Sequence, residues 1–189
     1  MTLIVGIVDK NTKDIYMAGD SAATGEVVKS VVKYSKVFIR DKFIIGFCGS
    51  ARMGQLLEHD ERVNFRLQGS LETDMQYLVG SFIPAVQEMF RLGGFLRTND
   101  EQQSLGGTFL IGYHGILYKI YDDFSIEYVF DDYLACGSGE YMALGSLYST
   151  ERTGGLDIPY RIQIAFEAAE KFTNCVAKPI TIIKLEYNK

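Results

Sequence analysis

The sequence predicts an α+β fold in which two β-sheets lie between two helical layers, an αββα sandwich. Three observations predict it. Strand-like runs fall into blocks separated by paired helical segments, in the order strands, two helices, strands, two helices, strand. Several strands are apolar on both faces and so need cover on both sides. The chain has 189 residues, of which 47% are apolar and 23% charged, which suits one compact domain over residues 1–189.

The elements follow in order. Residues 2–8 are rich in β-branched side chains and form a strand that opens on a threonine. Residues 9–14 carry a turn signal, and residues 15–18 return as the second strand of a hairpin. Residues 33–40 read as a strand, Asp41-Lys42 as a tight turn, and residues 43–48 as a continuous apolar strand. Gly49-Ser50 opens a helix in which Met53, Leu56, Leu57, Val63 and Leu67 hold loose helical spacing until Gly69-Ser70. A second helix, residues 71–92, shows apolar positions at three- and four-residue steps, with Pro84 expected to kink it. Residues 93–103 read as a polar connection.

Strands return at 108–113, 116–121 and 126–129, joined by turns at His114-Gly115 and Asp122-Asp123. Residues 133–136 lead into Gly137-Ser138-Gly139. Two helices follow, one carrying Met142, Leu144, Leu147 and Tyr148, the other spanning 158–175 with Pro159 in its first turn. Residues 179–187 form the closing strand. No repeat, low-complexity tract or linker interrupts this order.

Composition excludes several classes. The net charge is −5 and the nearest thing to a basic cluster is Lys29, Lys33 and Lys36, so nucleic acid is not an expected partner. No stretch approaches the roughly 18 uncharged apolar residues of a membrane helix. Asp9, Lys10 and Lys13 interrupt the N-terminal apolar run, so no secretory signal is read and a cytoplasmic location is expected. Three cysteines without CxxC spacing, and two histidines sharing no motif, favour neither a disulfide framework nor a metal site. Gly137-Ser138-Gly139 is no dinucleotide loop, because Met142 stands where a third glycine is needed.

Four features converge on one chemistry. Met1-Thr2 allows methionine aminopeptidase to expose a threonine, Asp20 ends the second strand, Lys36 precedes Val37-Phe38, and Gly46-Phe47-Cys48-Gly49-Ser50 is a strand-to-helix turn of small residues. A hydroxyl is a weak nucleophile until a base takes its proton. An N-terminal α-amine, with an ordinary pKa of about 7.7–8.0, is partly neutral near pH 7 and belongs to the same residue. A nearby Lys36 ammonium would stabilise the alkoxide, Asp20 would hold that lysine, and a glycine N–H would stabilise the oxyanion, a contribution of about 2.7–4 kcal/mol per donor.

These residues, taken together and in order, resemble the proteasome β-type peptidases, the threonine peptidases whose bacterial branch is HslV, and the resemblance is expected to be nearest to that branch. It rests on Met1-Thr2-Leu3-Ile4-Val5-Gly6, Ala18-Gly19-Asp20 with Ala23-Thr24, Lys36-Val37, Ile45-Gly46-Phe47-Cys48-Gly49 and Gly137-Ser138-Gly139. It implies an N-terminal nucleophile (Ntn) hydrolase fold with Thr2 as nucleophile, Asp20 as acid, Lys36 as its lysine, Gly46 as oxyanion donor and Ser138 as supporting serine. Ala23, Thr24, Tyr34 and Cys48 are the candidate substrate contacts. The resemblance further implies an endopeptidase that degrades unfolded polypeptides inside homo-oligomeric rings fed by a hexameric AAA+ ATPase. It calls for no cofactor, beyond a structural cation of the kind the family sometimes binds.

The sequence also departs from that family. The first hairpin is about two residues longer than in HslV and the turn after Lys36 about two shorter. Leu3 replaces a common second threonine. An Asp and Ser usual before the last strand are replaced in Thr173-Asn174-Cys175-Val176, leaving Thr173 and Asn174 as possible helpers. Two alternatives stay open: an Ntn amidohydrolase acting on a small amide, and a non-catalytic structural subunit of the same fold.

Overall fold

The computed structural model describes residues 2–25, 28–65, 68–99 and 102–187. Met1 lies outside these. Two antiparallel sheets face each other. The first holds β1 (Leu3–Val8), β2 (Ile15–Gly19), β12 (Tyr133–Gly137) and β13 (Thr181–Leu185) in the order β12-β1-β2-β13. The second holds β5 (Val37–Arg40), β6 (Phe43–Cys48), β9 (Thr108–Tyr113), β10 (Ile116–Ile120) and β11 (Ile126–Glu127) in the order β11-β10-β9-β6-β5.

Strand alternation builds the layers. Leu3, Val5 and Ile7 point outward from β1 and pack with Ala143, Leu147, Ile162 and Phe166 of α4 (Glu140–Thr153) and α5 (Ile158–Phe172). Ile4 and Val8 point inward and meet Val37, Ile44 and Leu110 of the second sheet. That sheet's outer face carries Phe43, Phe109 and Tyr113. Against it lie α1 (Ala51–His59), α2 (Asp74–Tyr77) and α3 (Ile83–Leu92). Both faces of both sheets are therefore covered, and the αββα order read from the sequence is the order of the molecule.

Helix ends obey local chemistry. The Ser50 side chain accepts from Arg52 N–H and starts α1, which stops at Asp60 instead of running on to Leu67. Thr73 and Gln76 form a capping box, so the second helix begins at Asp74 and leaves Leu71 outside it and exposed. Pro84 does not simply kink this helix. Residues Leu78–Phe82 widen into a π-turn just before it, with Ile83 N–H reaching back to the Leu78 carbonyl. A proline there supplies no N–H to the Gly80 carbonyl and crowds it, and the wider turn relieves both.

Two short hairpins went unread in the sequence. β3 (Ala22–Thr24) pairs with β4 (Lys29–Val31), and β7 (Arg97–Asn99) with β8 (Gln102–Ser104) inside the stretch read as a connection. Both are short and mostly polar, which removes the apolar alternation that marks a strand. Elsewhere the strand read over 33–40 begins only at Val37, the one over 126–129 is two residues long, the helix over 158–175 ends at Phe172, and the strand over 179–187 shortens to β13.

Phe43 sits at the centre of an aromatic cluster, with ring centroids 4.7 Å from Phe82, 4.6 Å from Tyr113 and 5.6 Å from Phe65. Phe43→Ala is expected to cost about 3–5 kcal/mol, read as a lower urea midpoint. At the far end of the sandwich Asp14 accepts from Lys184 Nζ at 2.7 Å and from Tyr187 N–H at 2.9 Å, which pushes its pKa from 3.8 down to about 2. Stability from this group is complete above its ordinary pKa and is lost as pH falls toward 2. Asp14→Asn should flatten that part of the acid limb in urea midpoints measured against pH; an unchanged limb would contradict the assignment.

Candidate active site

The site forms where β1 begins. Thr2 directly precedes β1 and is 5% exposed. The Lys36 ammonium, 4% exposed, donates to Thr2 Oγ1 at 2.8 Å, to Asp20 Oδ1 at 2.9 Å and to the Ala22 carbonyl at 2.5 Å. An ammonium has three N–H groups, and these three acceptors use them all. Thr2 Oγ1 therefore accepts from Lys36, and its own hydrogen is directed elsewhere. Burial lowers the Lys36 pKa, and the charge and hydrogen bond of Asp20 oppose that shift.

Asp20 is held as firmly as it holds. Oδ1 accepts Leu3 N–H at 3.0 Å as well as Lys36, while Oδ2 accepts Ala22 N–H at 2.8 Å and Ala177 N–H at 3.3 Å. Four donors from four parts of the chain thus converge on one buried carboxylate. This carboxylate position lies just past Gly19, the last residue of β2, which pairs with Ile4 of β1. The hairpin register brings Asp20 beside Thr2 and Leu3.

Ser138 lies on the other side of Thr2. Its hydroxyl accepts from Thr2 N at 3.3 Å and donates to the Thr2 carbonyl at 3.3 Å. It does not cap α4, whose N-cap is Gly139 without a side-chain bond. Gly137 makes this approach possible. It has φ +101°, and a Cβ there would lie 2.2 Å from the Thr2 carbonyl oxygen.

Thr2, Asp20, Lys36 and Ser138 thus come together, whereas Gly46 does not join them. It stands mid-strand in β6, between Val37 of β5 and Leu110 of β9. Phe47 N–H donates to the Lys36 carbonyl at 3.1 Å, so strand alternation turns the Gly46 N–H the other way, toward β9. Gly46 has a packing reason instead: a Cβ there would meet Ile4 at 2.6 Å and Met17 at 2.8 Å. Gly49 follows the end of β6 with φ +109° and packs against Gly107.

The candidate substrate contacts also divide. Ala23 and Thr24 lie on β3, next to the Ala22 carbonyl that binds Lys36. Tyr34, with Ser35, Phe47, Arg52, Gln55 and Leu56, lines an open cavity of about 510 Å³ against α1, and Lys36 is not among its lining residues. Cys48 is no substrate contact: its sulfur is buried between the sheets, 3.3 Å from Cys136 Sγ. Thr173 donates its hydroxyl to the Ala169 carbonyl and the Asn174 side chain bonds Cys175, while Ala177 N–H from the same segment donates to Asp20. A second cavity, lined by Lys13, Asp41, His114 and Tyr187, lies at the opposite end of β1.

No family model matches the chain, and no curated protein sequence does. Solved structures match over its full length. BPH of Thiobacillus denitrificans, in complex with epoxomicin, superposes with a TM-score of 0.79 at 18% identity, covering 100% of both chains. Eukaryotic HslV from Trypanosoma brucei gives 0.67 at 16% identity, over 98% of this chain and 99% of that one. Anbu from Yersinia bercovieri, described as an ancestral β-subunit, gives 0.65 at 12% identity, over 98% and 82%. The chain has the proteasome β-type, N-terminal nucleophile hydrolase fold. HslV does not stand out among these structures, so the expected special nearness to that branch does not emerge.

Gly137→Ala tests how tightly the site is built. The new methyl group would overlap the Thr2 backbone in a conformation that L-residues avoid, so strain of at least about 1–3 kcal/mol and displacement of Thr2 are expected. A thermal midpoint equal to that of the unaltered protein would contradict this packing.

Proposed function

We propose that this chain is a threonine-type endopeptidase whose nucleophile is the Thr2 hydroxyl, active once Met1 is removed. The observation that carries the reading is the buried Lys36 ammonium 2.8 Å from Thr2 Oγ1 and 2.9 Å from Asp20. While Met1 is attached, the Thr2 nitrogen is an amide and cannot serve as base. Its removal leaves an α-amine beside the Ser138 hydroxyl, able to take the Thr2 proton directly or through one water. Lys36, already donating to Oγ1, stabilises the alkoxide as it forms.

Attack on a peptide carbonyl gives a tetrahedral oxyanion. Gly49 N–H, rather than Gly46 N–H, is the donor suited to it. Collapse expels the amine half of the substrate, which takes its proton from the α-ammonium, and leaves an ester on Thr2. Water, activated by the same amine, then releases the acid half. Nothing in this sequence of steps calls for a cofactor.

The substrates are unfolded polypeptides, and residues 1–189, less Met1, form the peptidase domain. Exposed Val79, Tyr141, Met142 and Tyr148 on the helical layers, with Leu71 in the turn before α2, favour assembly into homo-oligomeric rings. A hexameric AAA+ ATPase is the proposed feeder, in the cytoplasm. No helix among the described residues is long and apolar enough to cross a membrane.

Thr2→Ala should abolish peptide hydrolysis while leaving the fold intact, Thr2→Ser should keep part of the rate, and Lys36→Ala should approach the loss at Thr2. Intact mass should show Met1 absent from active protein. Epoxomicin, bound by the Thiobacillus protein, should label the Thr2-terminal peptide. Full activity with Met1 retained, or in Thr2→Ala, would overturn the mechanism. Hydrolysis of small amides without cleavage of an unfolded protein would transfer the site to an amidohydrolase.

A further inference from the structure

Beneath the nucleophile lies a chemistry-bearing group that the mechanism leaves unused. Cys48 closes β6 and Cys136 is the penultimate residue of β12, so the two belong to opposite sheets and face each other across the inner core. Their sulfurs are 3.3 Å apart, and neither is engaged in a disulfide. A partly buried ion pair, Lys119 Nζ to Glu140 Oε1 at 2.6 Å, adds charge nearby. The hydrogen bond it shares with Cys136 holds the Cys48 thiol below its ordinary range. Burial opposes that shift and Lys119 assists it. Burial pushes the Cys136 thiol well up. The pair therefore has one thiol disposed to ionise and one poised to resolve.

We propose that Cys48 and Cys136 are an oxidisable dithiol, which a peroxide converts into an inter-sheet disulfide that disables the Thr2 site. The Cys48 thiolate attacks one peroxide oxygen, giving a sulfenic acid and one water. The Cys136 sulfur then displaces the sulfenic oxygen as a second water. Two thiols thereby lose two electrons and two protons to one hydrogen peroxide, and the chain loses about 2 Da. A disulfide needs about 2.05 Å between sulfurs, so the two sulfurs must approach by more than 1 Å, through rotation of the side chains and movement of the strands that carry them. The next residue after Cys136 is Gly137, which rests against the Thr2 carbonyl oxygen, followed by Ser138, bonded to Thr2. After Cys48 comes Gly49, the proposed oxyanion donor, packed against Gly107. Strain from the new bond therefore reaches the site through both flanking glycines. A misplacement of about 1 Å can cost on the order of a hundredfold in rate.

This consequence rests on the proposed peptidase function, whereas the bond itself does not, so two readouts are needed. The Met1-processed protein is treated with hydrogen peroxide, quenched, and mapped by non-reducing peptide mass analysis, in parallel with peptide hydrolysis before and after dithiothreitol. The expected result is a Cys48–Cys136 crosslinked peptide, a rate lowered by about a hundredfold, and recovery of both on reduction. Cys136→Ala should keep the starting rate and lose neither mass nor activity with peroxide on this timescale. Peroxide that leaves both thiols free, or oxidises them separately to oxygenated products, overturns the proposal. So does a crosslink that leaves hydrolysis unchanged. Protein that hydrolyses nothing even when reduced removes the peptidase reading, and the peptide map still decides whether the disulfide forms.

Discussion

A single buried ammonium dictates the architecture around it. Lys36 is almost fully enclosed, and a charge in that position is tolerated only if every N–H meets an acceptor. The fold supplies a hydroxyl from the start of β1, a carboxylate from the end of β2 and a carbonyl from β3. Each comes from a different segment, and each is placed by hydrogen-bonded register rather than by a flexible side chain. The carboxylate is in turn fixed by three backbone N–H groups. Desolvation, which by itself works against the lysine's charge, also makes each of these contacts stronger than it would be in water.

Close approach of the two sheets is the second condition. Gly46 lets Ile4 and Met17 sit against the backbone of β6, and Gly137 lets the backbone of β12 touch Thr2. Replacing either contact by a side chain would push the sheets or the threonine away from the lysine. Small residues near this site therefore act through distance: they set how near the first strand lies to the second sheet, from whose edge Lys36 reaches across.

Much of this was legible in the sequence. The block order of strands and helices, the two-faced apolar strands and the first hairpin predict the layered fold, and Thr2, Asp20, Lys36 and Ser138 do meet. What escaped reading has physical causes. The β3–β4 and β7–β8 hairpins lack apolar alternation. The roles of the Ala22 carbonyl and the Ala177 N–H are backbone roles, on which side-chain identity is silent. Gly46 was misassigned because a glycine in a strand looks the same whether it frees an N–H or admits a neighbouring side chain. The direction of its N–H depends on strand phase, which the Phe47–Lys36 bond reveals. Cys48 and Cys136 are 88 positions apart in the chain, and nothing local announces that they touch.

Asp20 gathers donors from Leu3, Ala22, Lys36 and Ala177, and β1 lies between β2 and β12. Thr2 and Asp20 must therefore wait for partners that lie 136 positions and more further along the chain. Such long-range pairing is slow to form. Until Gly137 and Ala177 have emerged and docked, Thr2 lacks much of its surroundings and the Asp20 carboxylate lacks a donor. Biosynthetic order itself thus delays the assembly of the Thr2–Lys36–Asp20 cluster until Ala177 has been made.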